Sequence, residues 1–377
     1  MYTEINKIIE GGIKGDKEKV YNYAKLLADN LENSGENQYA KKIRKIIDNR
    51  PKNFATLDEF ASKPIDQESR LDIVKVYFPS KNIEKLVFNK HIENELNEFI
   101  DSFYKKDKLV KMGVDSDFSL LLYGPPGCGK TSIAEYISYT TKLPLVIARL
   151  DGMVSSLLGN TAKNIRKIFE YASKRECILF LDEFDAIAKV RDDKNELGEL
   201  KRVVNSLIQN IDEFSKDNIL IAATNHEEIL DKAIWRRFSN VMHIGKPSDD
   251  EIENILKNNI KNIKSDFDNN KKSYEIIIKE MNGLSPSDIK HICNNVKRKM
   301  VINDYREIKF IDLLTEIYLL KFHEIESDDK FVKYLIENSV KQKDINEFYN
   351  VPLRKIRKLS RKRVRLIQMG MRWTGMG

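Results

Sequence analysis

The segment GPPGCGKT, Gly124 to Thr131, constrains the fold more than any other stretch of the chain. It follows an apolar run, FSLLLY at 118–123, and precedes a helical pattern, TSIAEYIS. A strand, a glycine-rich turn and a helix start, in that order, make a phosphate-binding loop. Glycines let the backbone wrap closely so that its N–H groups point inward. The helix start adds positive partial charge. Lys130 is the residue expected to reach the β- and γ-phosphates, and the Thr131 hydroxyl is expected to hold Mg²⁺. The expected nucleotide contacts are Gly124, Pro125, Pro126, Gly127, Cys128, Gly129, Lys130, Thr131 and the adjacent Ser132.

A loop of this kind needs a parallel sheet behind it. Short apolar runs recur at 118–123, 145–150 (LVIARL), 177–181 (CILFL) and 219–223 (ILIAA), each followed by a helical pattern. That alternation predicts an α/β fold, with a parallel sheet covered by helices on both faces. It occupies about 81–247. Before it, 1–50 reads as three short helices, with Val20, Tyr23, Ala24, Leu27 and Leu31 on one stripe. Residues 51–80 read as a linker with a short strand, LDIVKVYF, between Pro64 and Pro79. After it, 248–325 reads as a small helical lid and 328–377 as a basic helical tail.

In CILFLDEFD, the apolar run Ile178 to Leu181 delivers Asp182 and Glu183 at the end of a strand. Ligands of open α/β sheets bind beyond the carboxyl ends of the strands. Asp182 suits a water-mediated Mg²⁺ contact, and Glu183 suits the base that activates an attacking water.

Together with four further segments, these motifs resemble the AAA family of ATPases, a branch of the AAA+ superfamily. The segments run in order: GPPGCGKT at 124–131, GNTAKNIRKIF at 159–169, FLDEFDAI at 180–187, AATN at 222–225, LDKAIWRRF at 230–238 and GLSPSDIKHIC at 283–293. The resemblance implies a P-loop NTPase sheet with a helical lid. It implies hydrolysis of ATP with Mg²⁺ in a homo-oligomeric ring, expected to be a hexamer, that remodels a macromolecule, in the first place a protein. By position, Asn225 takes the sensor role of polarising the water. Arg236 and Arg237 take the role of arginine fingers that reach a neighbouring subunit's γ-phosphate, for which a planar, always-charged guanidinium is suited. Arg166 matches an arginine often found at the subunit boundary.

Two departures stand out. Family members that thread polypeptide carry an aromatic residue two positions before Gly159, and here that position is Leu157. Where the family often has Gly-Ala before the aspartate of GLSPSD, this chain has Pro286 and Ser287. The acidic stretch around Asp192, Asp193 and Glu196 reads as a second pore-side loop or as a solvated surface loop.

Charge is concentrated at one end. The chain carries +7, and 352–377 holds nine Arg or Lys with no acid, so the rest sums to −2. The segment QKDINEFYNVPLRKIRKL, 342–359, has the apolar spacing of a helix-turn-helix, with Asn350 at the turn. A DNA contact through 342–377 is therefore one expectation, and a basic end docked on the body is the other. The first would make the chain a DNA-tethered, ATP-dependent switch for a partner effector, as in mobile-element or anti-phage systems. No run of 18 apolar residues occurs, and the N-terminus lacks a basic start followed by an apolar stretch. No membrane contact is expected. Three cysteines without CxxC spacing exclude a disulfide scaffold and fit a cytoplasmic location.

Overall fold

The structure, a computed structural model, describes residues 5–9, 17–33, 36–48, 60, 63–66, 72–79, 86–114, 117–150, 158–186, 197–214, 218–230, 232–268, 270–325 and 328–368. Leu157, the stretch around Asp192 and Trp373 lie outside the described residues. The chain divides into two compact units: 1–84, 97–123 and 131–242 form the first, and 85–96, 124–130 and 243–377 the second. The chain has the mixed α/β architecture of a P-loop NTPase, with a mostly parallel sheet and many helices.

The first unit is built on a six-stranded sheet: β1 (Val74–Tyr77), β2 (Ser119–Tyr123), β3 (Leu145–Arg149), β4 (Ile178–Asp182), β5 (Ile219–Thr224) and β6 (Asn240–His243), in the order β1-β3-β4-β5-β2-β6. The pairs β3–β4, β4–β5 and β2–β5 are parallel. β2, β4 and β5 are buried almost throughout, which is why they read as continuous apolar runs rather than alternating ones. β1 lies on one edge, antiparallel to β3, with Val74 opposite Ala148. Parts of the stretch read as a linker are thus built into the sheet unit: Phe60 is buried, and Asp66 accepts from Asn164 Nδ2 at 2.8 Å. β6 closes the other edge; its four residues bury only Met242, and the sequence pattern did not show it.

Helices cover the sheet through stripes at helical spacing. On α7 (Leu158–Ser173) the stripe is Ile165, Ile168, Phe169 and Ala172. On α8 (Leu197–Glu213) it is Val203, Val204, Leu207 and Ile211. All eight residues join Leu121, Leu179, Leu181 and Ala222 of the sheet in one buried cluster. Each fully buried aliphatic side chain contributes about 1.5–3 kcal/mol. Preceding these are α1 (5–9), the packed pair α2 (Lys17–Asn33) and α3 (Asn37–Asp48), then α4 (Lys90–Tyr104), α5 (Lys106–Lys111) and α6 (Lys130–Thr141). The four-residue α9 (Lys232–Trp235) follows β5.

The second unit is helical: α10 (Asp249–Asn259), α11 (Lys271–Met281), α12 (Pro286–Ile302), α13 (Phe310–Phe322), α14 (Asp328–Glu337), α15 (Gln342–Tyr349) and α16 (Leu353–Gln368). Two of the helix starts have a clear local cause. Ser248 and Glu251 form a capping box on α10. Ser285 caps α12 with Asp288, and Pro286 sits in the first turn, where its missing N–H costs nothing. That is the physical sense of the GLSPSD departure. Ile311 to Tyr318 on α13 are all buried, so this helix runs through the centre.

Apolar side chains from both sides of the 325–328 junction meet in a single cluster. Ile289, Leu314 and Ile317 share it with Phe331, Leu335, Ile345, Val351, Ile356 and Leu359. α15 ends at Asn350, which takes the left-handed conformation at φ 51° and ψ 26°. Asn tolerates that region better than most residues. Asn346 donates from Nδ2 to the Val351 carbonyl at 2.9 Å.

Candidate active site

The glycine loop leaves the carboxyl end of β2 and runs into α6. Gly124 sits at φ +137°, and a Cβ there would lie 2.2 Å from the Ile244 carbonyl oxygen. No other residue fits. Gly127, at φ +74°, would place a Cβ 2.6 Å from Ser285 Oγ, and its own carbonyl accepts from the Ser287 N–H at 3.2 Å. The start of α12 therefore rests directly on the loop.

Lys130 is buried, and its ammonium donates to the carbonyls of Gly124 (2.6 Å) and Pro125 (2.9 Å). Thr131 and Ser132 are half-buried on the first turn of α6, which contains no acidic residue. An acid-free helix start is favourable for an anion. Cys128 is buried with Sγ 3.8 Å from the Pro126 carbonyl oxygen. Burial raises its thiol pKa against the opposing pull of Lys130 and Lys246. A thiol so held is not a reactive thiolate, and a small packing side chain is the better description.

The carboxyl ends of β4 and β5 supply a second group. Asp182 closes β4, half-buried, and its Oδ1 accepts from the Glu183 N–H at 3.0 Å. Glu183 has φ +52°, an uncommon conformation for a residue with a side chain. Such outliers persist only where surrounding structure imposes them. Here Phe184 is fully buried and its N–H donates to the Ala223 carbonyl at 2.9 Å, which turns the chain sharply after the strand. Glu183 Oε1 receives a hydrogen bond from Arg149 Nη2 at 3.3 Å. Arg149 ends β3, in register with Asp182.

Asn225 follows β5 and is half-buried. Its N–H donates to the buried Asp185 carboxylate at 3.3 Å, and the Thr224 hydroxyl donates to the same oxygen at 3.1 Å. Arg149 and Asp185 were not singled out in the sequence. Arg149 meets Glu183 through strand register, which no spacing rule reveals. Asp185 left one signal, a charged residue between Phe184 and Ala186 just after a buried strand.

The two arginines after α9 differ. Arg237 is engaged, donating from Nε to Asp212 (3.3 Å) and from Nη1 to the Ala233 carbonyl (2.9 Å). Arg236 is exposed and has no partner among the described residues. Arg166 is exposed and pairs with Glu170 one turn on, at 2.8 Å.

Comparison with known proteins identifies the family of the chain. Residues 120–246 match the family model described as "ATPase family associated with various cellular activities (AAA)". An uncharacterized AAA family ATPase, y4kL, of Sinorhizobium fredii is 35% identical over 287 residues, which is 76% of this chain and 86% of that protein. A proteasome-activating nucleotidase of Sulfurisphaera tokodaii is 30% identical over 64% of each chain. An ATP-dependent zinc metalloprotease FtsH of Karelsulcia muelleri is 31% identical over 60% of this chain and 37% of its own length. The match therefore spans most of the first relative, under two thirds of the second and little over a third of the third.

Proposed function

The chain belongs to the AAA family of ATPases and hydrolyses ATP, and on that premise we propose a homo-oligomeric ring, a hexamer, that uses hydrolysis to remodel a protein. The observation that carries the mechanism is the placing of Asp182, Glu183 and Asn225 at the carboxyl ends of two neighbouring parallel strands. That edge is where ligands of open α/β sheets bind.

In this reading the N–H groups of 124–130 and the start of α6 bind the phosphates. Lys130 exchanges the Gly124 and Pro125 carbonyls for β- and γ-phosphate oxygens, so its charge is never left without partners. Thr131 directly, and Asp182 through water, are the oxygen donors for Mg²⁺, a hard-donor set that suits the ion. When bound, Mg²⁺ offsets charge on the β- and γ-phosphates. Glu183 takes the proton of the attacking water, and Asn225 holds that water towards the γ-phosphate. Arg236, exposed and unpartnered among the described residues, is the first candidate for the finger offered to a neighbouring subunit. Arg237 reaches the same place only by giving up Asp212. Both fingers require a neighbour, which supports a closed ring. The named relatives include a proteasome-activating nucleotidase and a metalloprotease, and this favours a polypeptide as the substrate. The three cysteines are free and buried, and burial pushes the Cys177 and Cys293 thiols up to about 12, which fits a reducing cytoplasm.

Steady-state ATP turnover with an unfolded protein titrated in tests the reading. Turnover should rise with added polypeptide. In Glu183→Gln it should fall by roughly 10²–10⁴-fold with ATP still bound, as expected on losing a general base. A flat response to polypeptide removes the remodelling role. Undiminished turnover in the variant removes Glu183 as the base.

A further inference from the structure

α14, α15 and α16 form a three-helix group at the end of the chain. Phe331, Val332, Leu335, Ile336, Ile345, Val351, Ile356 and Leu359 fill its interior. α15 and α16 are joined by a three-residue turn, 350–352, with Asn350 left-handed at its start. α16 then runs 16 residues, about 24 Å at 1.5 Å per residue.

The two sides of α16 differ sharply. Ile356 and Leu359 are buried, and Lys355 is tied to α14 through Asp329 at 2.8 Å and Asp328 at 4.0 Å. On the other side Arg354, Arg357 and Lys358 are exposed. α16 contains no acidic residue. The carboxylates nearest in the group are already engaged: Asp329 with Lys355, and Glu347 of α15 with Lys343 at 3.4 Å.

We propose that the outward face of α16 is a duplex DNA-binding surface that lies in the major groove. Three features select this partner. A helix set on a small helical core after a tight turn is the arrangement that presents side chains to the major groove, about 12 Å wide in B-form DNA. The face carries one sign of charge, Arg354, Arg357 and Lys358 at spacings of 3 and 1 residues, suited to a row of phosphates. Ile356 and Leu359, the buried apolar residues of its described part, are turned into the core and so are withheld from a lipid surface, which amphipathic membrane helices enter through their apolar side. An A-form RNA duplex has too narrow a major groove to admit such a helix. The inference goes beyond the remodelling activity and is read independently of it, because its measurement is DNA binding alone.

The experiment is fluorescence anisotropy of a 20-base-pair DNA duplex with the full chain, between about 50 and 200 mM salt, where phosphate contacts dominate the salt response. The partners are the same-sequence RNA duplex and anionic phospholipid vesicles. Arg354→Ala/Arg357→Ala/Lys358→Ala should lower the slope of log affinity against log salt by about 3, near 0.9 per lost phosphate contact, and weaken binding about tenfold or more. Its basal ATP turnover should match that of the unaltered chain, which reports that the variant is folded. Arg354→Lys/Arg357→Lys should keep the slope. Three results overturn the proposal: no binding to DNA at about 50 mM salt, equal affinity and slope in the triple variant, or binding to vesicles or duplex RNA at least as tight as to DNA.

Discussion

Asp185 shows what a single side chain does at the sheet edge. It is buried, touches no expected reacting atom, and holds both the Asn225 N–H and the Thr224 hydroxyl. It is a positioning residue, and its effect should appear in the chemical step. Asp185→Ala should lower kcat by about 10-fold to 100-fold with KM for ATP nearly unchanged, because displacement of a positioning group by an ångström costs this much. Asp185→Asn, which keeps one acceptor, should restore part of the rate. A change confined to KM would assign Asp185 to nucleotide binding instead. Arg149 is the second residue of this kind, placed against Glu183 by strand register.

Elements were legible to the degree that burial made their sequences simple. β2, β4 and β5 are covered on both faces and read as unbroken apolar runs, and the glycine turn after β2 follows from its own composition. The edge strand β1 falls within the short strand read at LDIVKVYF, whereas β6, four residues long with only Met242 buried, carries too mixed a signal to be read. Asp182, Glu183 and Asn225 could be located because each ends an apolar strand. Arg149 and Asp185 could not, because their partners are far away in sequence. α13 presents another case. Asp312 in its first turn is buried, and burial raises its carboxyl pKa, with Glu316 and Asp266 adding to the rise and Lys299 and Lys309 opposing it. The folded state then binds this proton more tightly than the unfolded state. The contribution to stability is full below the ordinary carboxylate pKa and is lost as pH rises through the folded value. Asp312→Asn should therefore melt higher than the unaltered chain at neutral pH, and the gap should close below about pH 4, the unfolded carboxylate range. Thermal melts from acid to neutral pH measure this, and a gap independent of pH would place the effect elsewhere.

At the scale of the whole molecule, the unit that holds α10 to α13 also holds the basic end. Four residues after position 341, Ile345, Val351, Ile356 and Leu359, belong to the same cluster as α10 to α13. At about 1.5–3 kcal/mol each, their loss rivals the roughly 5–15 kcal/mol that holds an entire domain together. A chain ending at 341 should lose cooperative melting of this unit, whereas one ending at Ser360 should keep it. A melt of the shorter chain that matches the full one would mean that α15 and α16 are a detachable module.

The same shared core has a mechanical consequence. Close-packed interiors pass strain on with little give. α16, α13 and α12 are parts of one such interior, and the Ser287 N–H at the start of α12 is bonded to the Gly127 carbonyl. α16 is thus part of a stiff body that also touches the glycine loop. If α16 holds DNA as proposed, a pull on that helix reaches the glycine loop through the shared core and the Ser287–Gly127 hydrogen bond.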